Sequence, residues 1–374
     1  MIYILIIVFL LNLMALGWIR IGMMRLPYFK GSGADSKTRF TVIVPFRNEA
    51  VNIPRLLRSI AALEYPIELY EVILVNDASE DASIAVVHEN LHDIKCDLKI
   101  IQNNRTSASP KKDAITTAIA EGKYEWILTT DADCELPRKW LQLYDHYIQK
   151  NQPKMVCAPV VYPTSKNLLK NFQFLDGLSL QLATMGGLGW NSPLLCNGAN
   201  LGYSKETFNA VDGYAGNDHI ASGDDIFLLE KIGELYPKSI KFIKNRGATV
   251  ITKPENTCGA MLSQRVRWAS KTSKQKGWGP KILGISVFLV NLVFLACIMG
   301  VIINTKYYGW YVGFLLLKII VDLLVLIPVA SFFKSPISLP GYLINALIYP
   351  FITVWVVFAS FFGNYHWKGR KFNK

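Results

Sequence analysis

The sequence predicts an α/β domain on a mostly parallel central sheet, with transmembrane α-helices at both ends of the chain. Three observations carry that expectation. The apolar residues, 51% of 374, gather towards the two termini. The middle alternates short apolar runs with helix-spaced segments, the pattern of a parallel sheet covered by helices on both faces. Polar clusters follow the strand-like runs, at the carboxyl edge where such sheets bind ligands.

Residues 2–19 (IYILIIVFLLNLMALGWI) carry no charge. At about 1.5 Å per residue they nearly span a bilayer core of about 30 Å. A cleaved signal peptide would place positive charge before the apolar run. Here the charge follows it, as Arg20, Arg25, Lys30, Lys37 and Arg39. That order predicts an uncleaved anchor with the following domain in the cytoplasm. Three further apolar runs, about 282–303, 309–333 and 341–363, are separated by Pro, Gly, Asn and Lys. The middle one holds Lys318 and Asp322, four apart on one helix face, which is expected to be a local ion pair inside the bundle.

The formal charge is +12. It clusters at Arg265, Arg267, Lys271, Lys274, Lys276 and Lys281, and in the tail at Lys368, Arg370, Lys371 and Lys374. No nucleic-acid motif accompanies it, so the excess reads as attraction to anionic headgroups. The tail poses a conflict. Three full crossings after a cytoplasmic domain would put it outside, whereas its basic composition belongs inside. Either one apolar segment is re-entrant or interfacial, or the rule is broken. The six cysteines form no CxxC pair, which suits free thiols in a reducing compartment.

In the middle, strands are expected at Thr41–Pro45, Glu71–Asn76, Leu98–Gln102 and Trp126–Thr130. Helices are expected over 50–63, Ser83–Leu91 and Lys112–Glu121. The strand ends then bring Arg47 and Glu49, Asp77, and the pair Asp131 and Asp133 to one edge. GxGxxG and the P-loop are both absent, which removes the signatures of dinucleotide binding and ATP hydrolysis.

Asp131 and Asp133 flank a small residue, and their hard oxygens suit Mg²⁺ or Mn²⁺; a solvated turn is the plain alternative. Asp224 and Asp225 open an apolar helix. They read either as an N-cap or as a general base, with adjacent carboxylates able to push one pKa upward. Gln264, Arg267 and Trp268 share nearly one helix face. That arrangement gives a phosphate clamp and a stacking platform, or an amphipathic helix on a membrane surface. Lys111 and Lys112 precede a helix, as phosphate contacts or as ordinary surface lysines. Asn197 and Gly198, in CNGAN, form a small-residue loop that either admits a substrate close to the backbone or is a simple turn.

Taken in order, VPFRNEA, VNDASED, PKKDAI, TTDADC, CNGANLGY, GDD and QRVRW resemble the motifs of the inverting family 2 glycosyltransferases, from Thr41 to Trp268. Asn76 stands where that family has its first acid, and Ala78 where it has Gly. The resemblance implies a GT-A fold and a nucleoside-diphosphate-sugar donor, with a UDP-sugar expected. It implies that Pro45, Arg47, Glu49, Asp77, Lys111, Lys112 and Asp131 line the donor site, with Asp77 reading the base. Asp133, with Asp131, would hold Mg²⁺ or Mn²⁺. Asp225, beside Asp224, would be the catalytic base, and Asn197, Gly198, Gln264, Arg267 and Trp268 would hold the diphosphate and acceptor. The expected organisation is an anchor over 1–22, a GT-A domain over 38–275, about three transmembrane helices within 280–364, and a basic tail over 365–374.

The expected protein is an integral protein of the cell (inner) membrane that acts on a lipid or glycan acceptor, with no nucleic-acid partner. Two other readings stay open: a processive polysaccharide synthase, and a membrane protein whose soluble domain only binds a nucleotide.

Overall fold

The computed structural model describes residues 2–31, 33–303, 305–362, 365–367 and 370–372. Helix α1 (Ile2–Arg25) leads to strand β1 (Phe40–Phe46), helix α2 (Ile53–Ala61), β2 (Tyr70–Asn76), α3 (Ser83–Glu89), β3 (Asp97–Gln102), α4 (Pro110–Glu121) and β4 (Trp126–Thr129). This is the alternation expected from the sequence, within one to three residues at the ends. Then follow β5 (Cys134–Glu135), α5 (Trp140–Asn151), β6 (Met155–Cys157), β7 (Val160–Val161), the long α6 (Leu168–Gly189), β8 (Leu201–Ser204), α7 (Lys205–Ala210), α8 (Ile226–Leu235), β9 (Ile240–Phe242) and β10 (Val250–Thr252). The chain continues through α9 (Cys258–Thr272), α10 (Trp278–Ile303), α11 (Tyr308–Phe333) and α12 (Leu339–Phe362) to the hairpin β11 (Tyr365–Trp367) and β12 (Arg370–Phe372).

The main sheet has seven strands in the order β3-β2-β1-β4-β8-β6-β9. All run the same way except β8, which is antiparallel to both neighbours. Alternation along the strands divides the core. Ile43, Ile73, Val75 and Ile127 face one layer, while Val42, Val44, Val72, Leu74 and Leu128 face the other with α2 and α5. A smaller sheet, β5-β10-β7, lies beyond the carboxyl end of the main one.

Four helices are long and apolar enough to cross a membrane: α1, α10, α11 and α12. Leu5 of α1, Val290, Phe294 and Cys297 of α10, and Tyr311 and Phe314 of α11 form one apolar cluster. Lys318 is almost fully buried in that region. Its ammonium lies 2.8 Å from Asp322 and over the rings of Phe294 and Tyr349, which is the expected ion pair with its cation enclosed by aromatics.

These helices do not hang from the α/β domain on a loose tether. The core on one face of the sheet continues through α6 into Ile19 and Met23 of α1, Leu326, Val329 and Phe333 of α11, and Tyr342 and Ala346 of α12. Where α1 crosses α6, Gly22 meets Gly186 and Gly189 so closely that a Cβ on any of the three would run into backbone. Small residues at a helix crossing permit this approach. Trp190 closes the crossing: its indole N–H donates to the Trp18 carbonyl (2.8 Å) and Arg25 lies over its ring.

Helix α12 packs on the α/β domain as well as on α10 and α11. Near its start Asn345 bonds Asn171 at the beginning of α6 (2.7 Å), and α12 packs along α9 and α10. The strand β11 that follows it packs on α9 as well. The start of α12 therefore lies against α6, Phe358 near its other end packs on Phe288 of α10, and the described tail residue Arg370 reaches Asp77.

Candidate active site

A cleft of about 280 Å³ opens at the carboxyl end of the sheet. It brings together Pro45, Arg47, Glu49, Asp77, Lys111, Asp131, Asp133, Asn197, Gly198, Asp224, Asp225, Gln264, Arg267 and Trp268. Fourteen of the fifteen residues singled out in the sequence thus line one cavity. The exception is Lys112. It points into the core, where its ammonium donates to the carbonyls of Asn217 (2.6 Å) and Ile220 (3.0 Å), and burial pulls its pKa down to about 8. Consecutive residues on a helix point about 100° apart, so only one of the two lysines can face the cleft.

The first wall is built from the loops after β1 and β2. Arg47 is a brace: its guanidinium donates to the carbonyls of Asp77 (2.9 Å) and Ala78 and pairs with Glu80 (2.8 Å). Asn76 bonds Gln102 on β3 and accepts from the Ser79 amide. It works as a turn anchor, a task an amide performs without the acid found in the resembling family. Ala78 sits at φ +52°, in the left-handed region. Holding a non-glycine residue there costs about 1 kcal/mol, and the Arg47 bond to its carbonyl helps maintain it. Asp77 is fixed by its amide on the Phe46 carbonyl (2.9 Å) and by Asn103, which donates to Oδ1 (2.8 Å).

The second wall carries the charge. Lys111, at the start of α4, lies 2.7 Å from Asp131 and 3.1 Å from Asp224. It therefore bridges the end of β4 to the start of α8. Burial disfavours its charge, but Asp131, Asp224 and Asp225 outweigh burial and hold the ammonium well above its usual pKa. For Asp224, burial raises the pKa, yet Lys111, Lys271 and Lys112 together win and hold the carboxyl below the ordinary range.

Asp225 caps α8, its Oδ1 accepting from the Ile226 amide (2.8 Å), while Oδ2 lies 3.4 Å from the Gly198 amide. The N-cap reading is therefore correct, and it leaves Oδ2 directed at the loop of residues 197–200. The Lys271 ammonium is 3.7 Å from Asp225. Lys271 lines the cleft but was not among the residues read as site residues. It sits four residues after Arg267 on α9, the same-face spacing that could have identified it.

The loop itself is tightly held. Thr129 at the end of β4 donates to the Gly198 carbonyl (2.7 Å). A Cβ at Gly198 would stand 2.7 Å from Asp224 Oδ2 and 3.4 Å from the Lys111 ammonium. The obstructing atom ends a side chain, so the fold can yield at low cost but the carboxylate must move. Gly198→Ala is expected to lower turnover about 10- to 100-fold with little change in melting temperature. Steady-state kinetics beside a thermal melt checks this.

The third wall is α9. Arg267 donates to Ser222 (3.4 Å), and Gln264 donates to Glu255 (3.4 Å). Arg265, within QRVRW but not among the expected site residues, pairs with Asp176 on α6 (2.6 Å) and lies 4.5 Å over the Trp268 ring. It positions Trp268 at the cleft. Leu180, Gln181 and Thr184 of α6 and Leu195 also line the cleft.

Among the described residues no group of three His, Cys, Asp or Glu side chains could by itself hold a metal. Two carboxylates with hard oxygens at a strand end still suit Mg²⁺, which usually takes one or two carboxylates and completes its shell with water and substrate phosphates. The donor set fits that mode.

Residues 41–208 match the sequence family described as Glycosyl transferase family 2. The chain is 26% identical over 235 residues to a probable glycosyltransferase of Bacillus subtilis, covering 62% of this chain and 54% of that one. It is 28% identical over 235 residues to the poly-beta-1,6-N-acetyl-D-glucosamine synthase of Staphylococcus epidermidis, covering 59% and 52%. The chain thus spans about half the length of these curated relatives. Among solved structures it resembles a mannosyltransferase of Pyrobaculum calidifontis in complex with GDP-Man and Mn²⁺, with a TM-score of 0.58, 18% identity, and 94% and 98% of the two chains covered.

Proposed function

From a chain whose residues 41–208 form a family 2 glycosyltransferase domain with the GT-A fold, we propose a membrane enzyme that transfers a sugar, with inversion, from a UDP-sugar to a lipid or lipid-linked acceptor. One observation carries the acceptor assignment. The cleft runs without a break from Asp77 and Asp131 to Arg267 and Trp268 on α9, the helix that leads into α10 and is flanked by α12. An acceptor anchored in the bilayer reaches that end without leaving the membrane.

In this reading Asp77 takes the base and Arg267 the diphosphate, to which its guanidinium can present two donors. Asp133, with Asp131 beside it, would hold Mg²⁺ or Mn²⁺, whose chemistry there is to neutralise the charge of the leaving group. Lys111 places a fixed cation at the same point. Asp225 Oδ2 accepts the proton of the acceptor hydroxyl as that oxygen attacks the anomeric carbon from the face opposite the diphosphate. Negative charge building on the departing diphosphate is the main obstacle to transfer, and cations already held in place oppose it without reorganising.

The same reading orders the membrane. Helices α1, α10 and α11 cross, α12 runs along the interface, and the tail returns to the side of the catalytic domain, which is cytoplasmic by the charge following α1. That arrangement removes the conflict posed by the basic tail.

The test is release of nucleoside diphosphate by the purified full chain given a panel of UDP- and GDP-sugars, with and without Mn²⁺ and with membrane lipid extract as acceptor source. Mn²⁺-stimulated release that requires the lipid is expected. Release that proceeds equally without lipid, or from none of the donors, overturns the proposal.

A further inference from the structure

We propose that the carboxyl-terminal hairpin is a strap competing with the donor: Arg370 occupies the nucleotide subsite by capturing Asp77 and must withdraw before a nucleoside diphosphate binds. The proposal rests on the reading of Asp77 as the group that takes the base.

Three observations carry it. Arg370 Nη1 forms an ion pair with Asp77 Oδ2, and Nη2 lies 3.4 Å from the Asp77 carbonyl. The other carboxylate oxygen already accepts from Asn103 (2.8 Å), so both oxygens of Asp77 are engaged. The pair is also withdrawn from water, with the side chains 21% and 7% exposed. The hairpin holds Arg370 in place: β12 pairs antiparallel with β11, with Trp367 opposite Arg370, and β11 packs on α9. The described strands of the hairpin therefore touch both the acceptor-side helix α9 and, through Arg370, the base-side turn at Asp77.

The chemistry of the contact is that of a substitute. A guanidinium offers a flat edge of N–H donors to a carboxylate. The N–H edge of a nucleobase would approach the same carboxylate in the same way. Asp77 does not need Arg370 for its own placement, because the Phe46 carbonyl and Asn103 already fix it. The arginine is thus dispensable to the fold of the turn and costly only to whatever else must bind there.

A site open for part of the time shows an affinity reduced by the open fraction. The reading is tested on the full chain in lipid nanodiscs by titrating UDP and GDP, each with Mn²⁺, against the parent, Arg370→Ala and Arg370→Lys. Arg370→Ala is expected to bind one of the two about three- to tenfold more tightly than the parent, with Arg370→Lys between them. Donor KM is expected to fall by the same factor with kcat unchanged. Equal affinities, or weaker binding by Arg370→Ala as a residue clamping the donor would show, overturn the strap and leave the transferase reading standing. Binding of neither nucleotide by any of the three proteins overturns both.

Discussion

Asp225→Asn is expected to cut turnover by about 10²- to 10⁴-fold, the usual contribution of a positioned general base, with donor affinity close to that of the parent. The substitution separates the N-cap role that the structure shows from the base role proposed for this residue. As an N-cap, Asn is as good as Asp, and its side-chain oxygen can still accept from the Ile226 amide as Oδ1 does now. As a proton acceptor at neutral pH it is useless. A mutant that melts with the parent, binds nucleoside diphosphate like the parent and yet turns over slowly isolates the proton transfer. Asp224→Asn makes the contrast, because Asp224 is held ionised by Lys111, Lys271 and Lys112 and its loss frees Lys111 from one of its two acids. That mutant is expected to weaken donor binding as well as turnover. Asp225→Asn turnover within about threefold of the parent, measured with saturating donor and lipid acceptor, would falsify the base assignment.

Much of the donor half was legible because its physics is local. Strands β1 and β2 are buried almost throughout, so they read as unbroken apolar runs, and each ends in residues that cannot continue a core. The second half was not legible in the same way. Strands β6 and β9 are three residues long and β8 is four, too short for a two-residue period to show against chance. Their pairing is set by α6 and by the sheet already formed, which is information spread over the chain.

Lys111 and Lys112 show the limit at finer scale. The residue types are identical, and only the rotation of α4 against the sheet decides which one meets the acids. Arg370 shows it at long range, since nothing local connects a tail arginine to an aspartate 293 residues earlier. The opposite error is equally informative. GDD reads as an N-cap or as a base; the structure shows the N-cap, and the proposed base uses the second oxygen of the same carboxylate, which has different neighbours.

Asn200 is where the fold and the site are joined, and Asn200→Ala is expected to destabilise the α/β domain by about 3–5 kcal/mol. The side chain is fully buried with all of its bonding capacity used. Its oxygen accepts from the Trp140 indole (2.8 Å) and the Tyr144 hydroxyl (2.9 Å); its amide donates to the carbonyls of Pro159 and Ala248, both at 2.8 Å. Those four partners come from α5, from the segment joining β6 to β7, and from the turn before β10, so a single amide ties the large sheet to the small one. Removing it takes this partner from the Trp140 and Tyr144 donors and from the Ala248 carbonyl, while the Pro159 carbonyl still accepts from the Val250 amide (3.0 Å). Each such group carries a desolvation penalty of about 1–3 kcal/mol when unpaired, and relaxation or an entering water recovers part of it. Asn200→Asp restores the shape but not the bonding, since a carboxylate would face two carbonyl oxygens with nothing to donate. A domain of this size loses about 2–4 °C of melting temperature per kcal/mol, so a fall of roughly 6–20 °C is expected for Asn200→Ala. The loop of residues 197–200 loosens with it, so at temperatures where the mutant is still folded its activity should drop further than its folded fraction. A melting temperature within about 3 °C of the parent would show that the two sheets are held together by other means, and that the position of the Gly198 amide beside Asp225 does not depend on this amide.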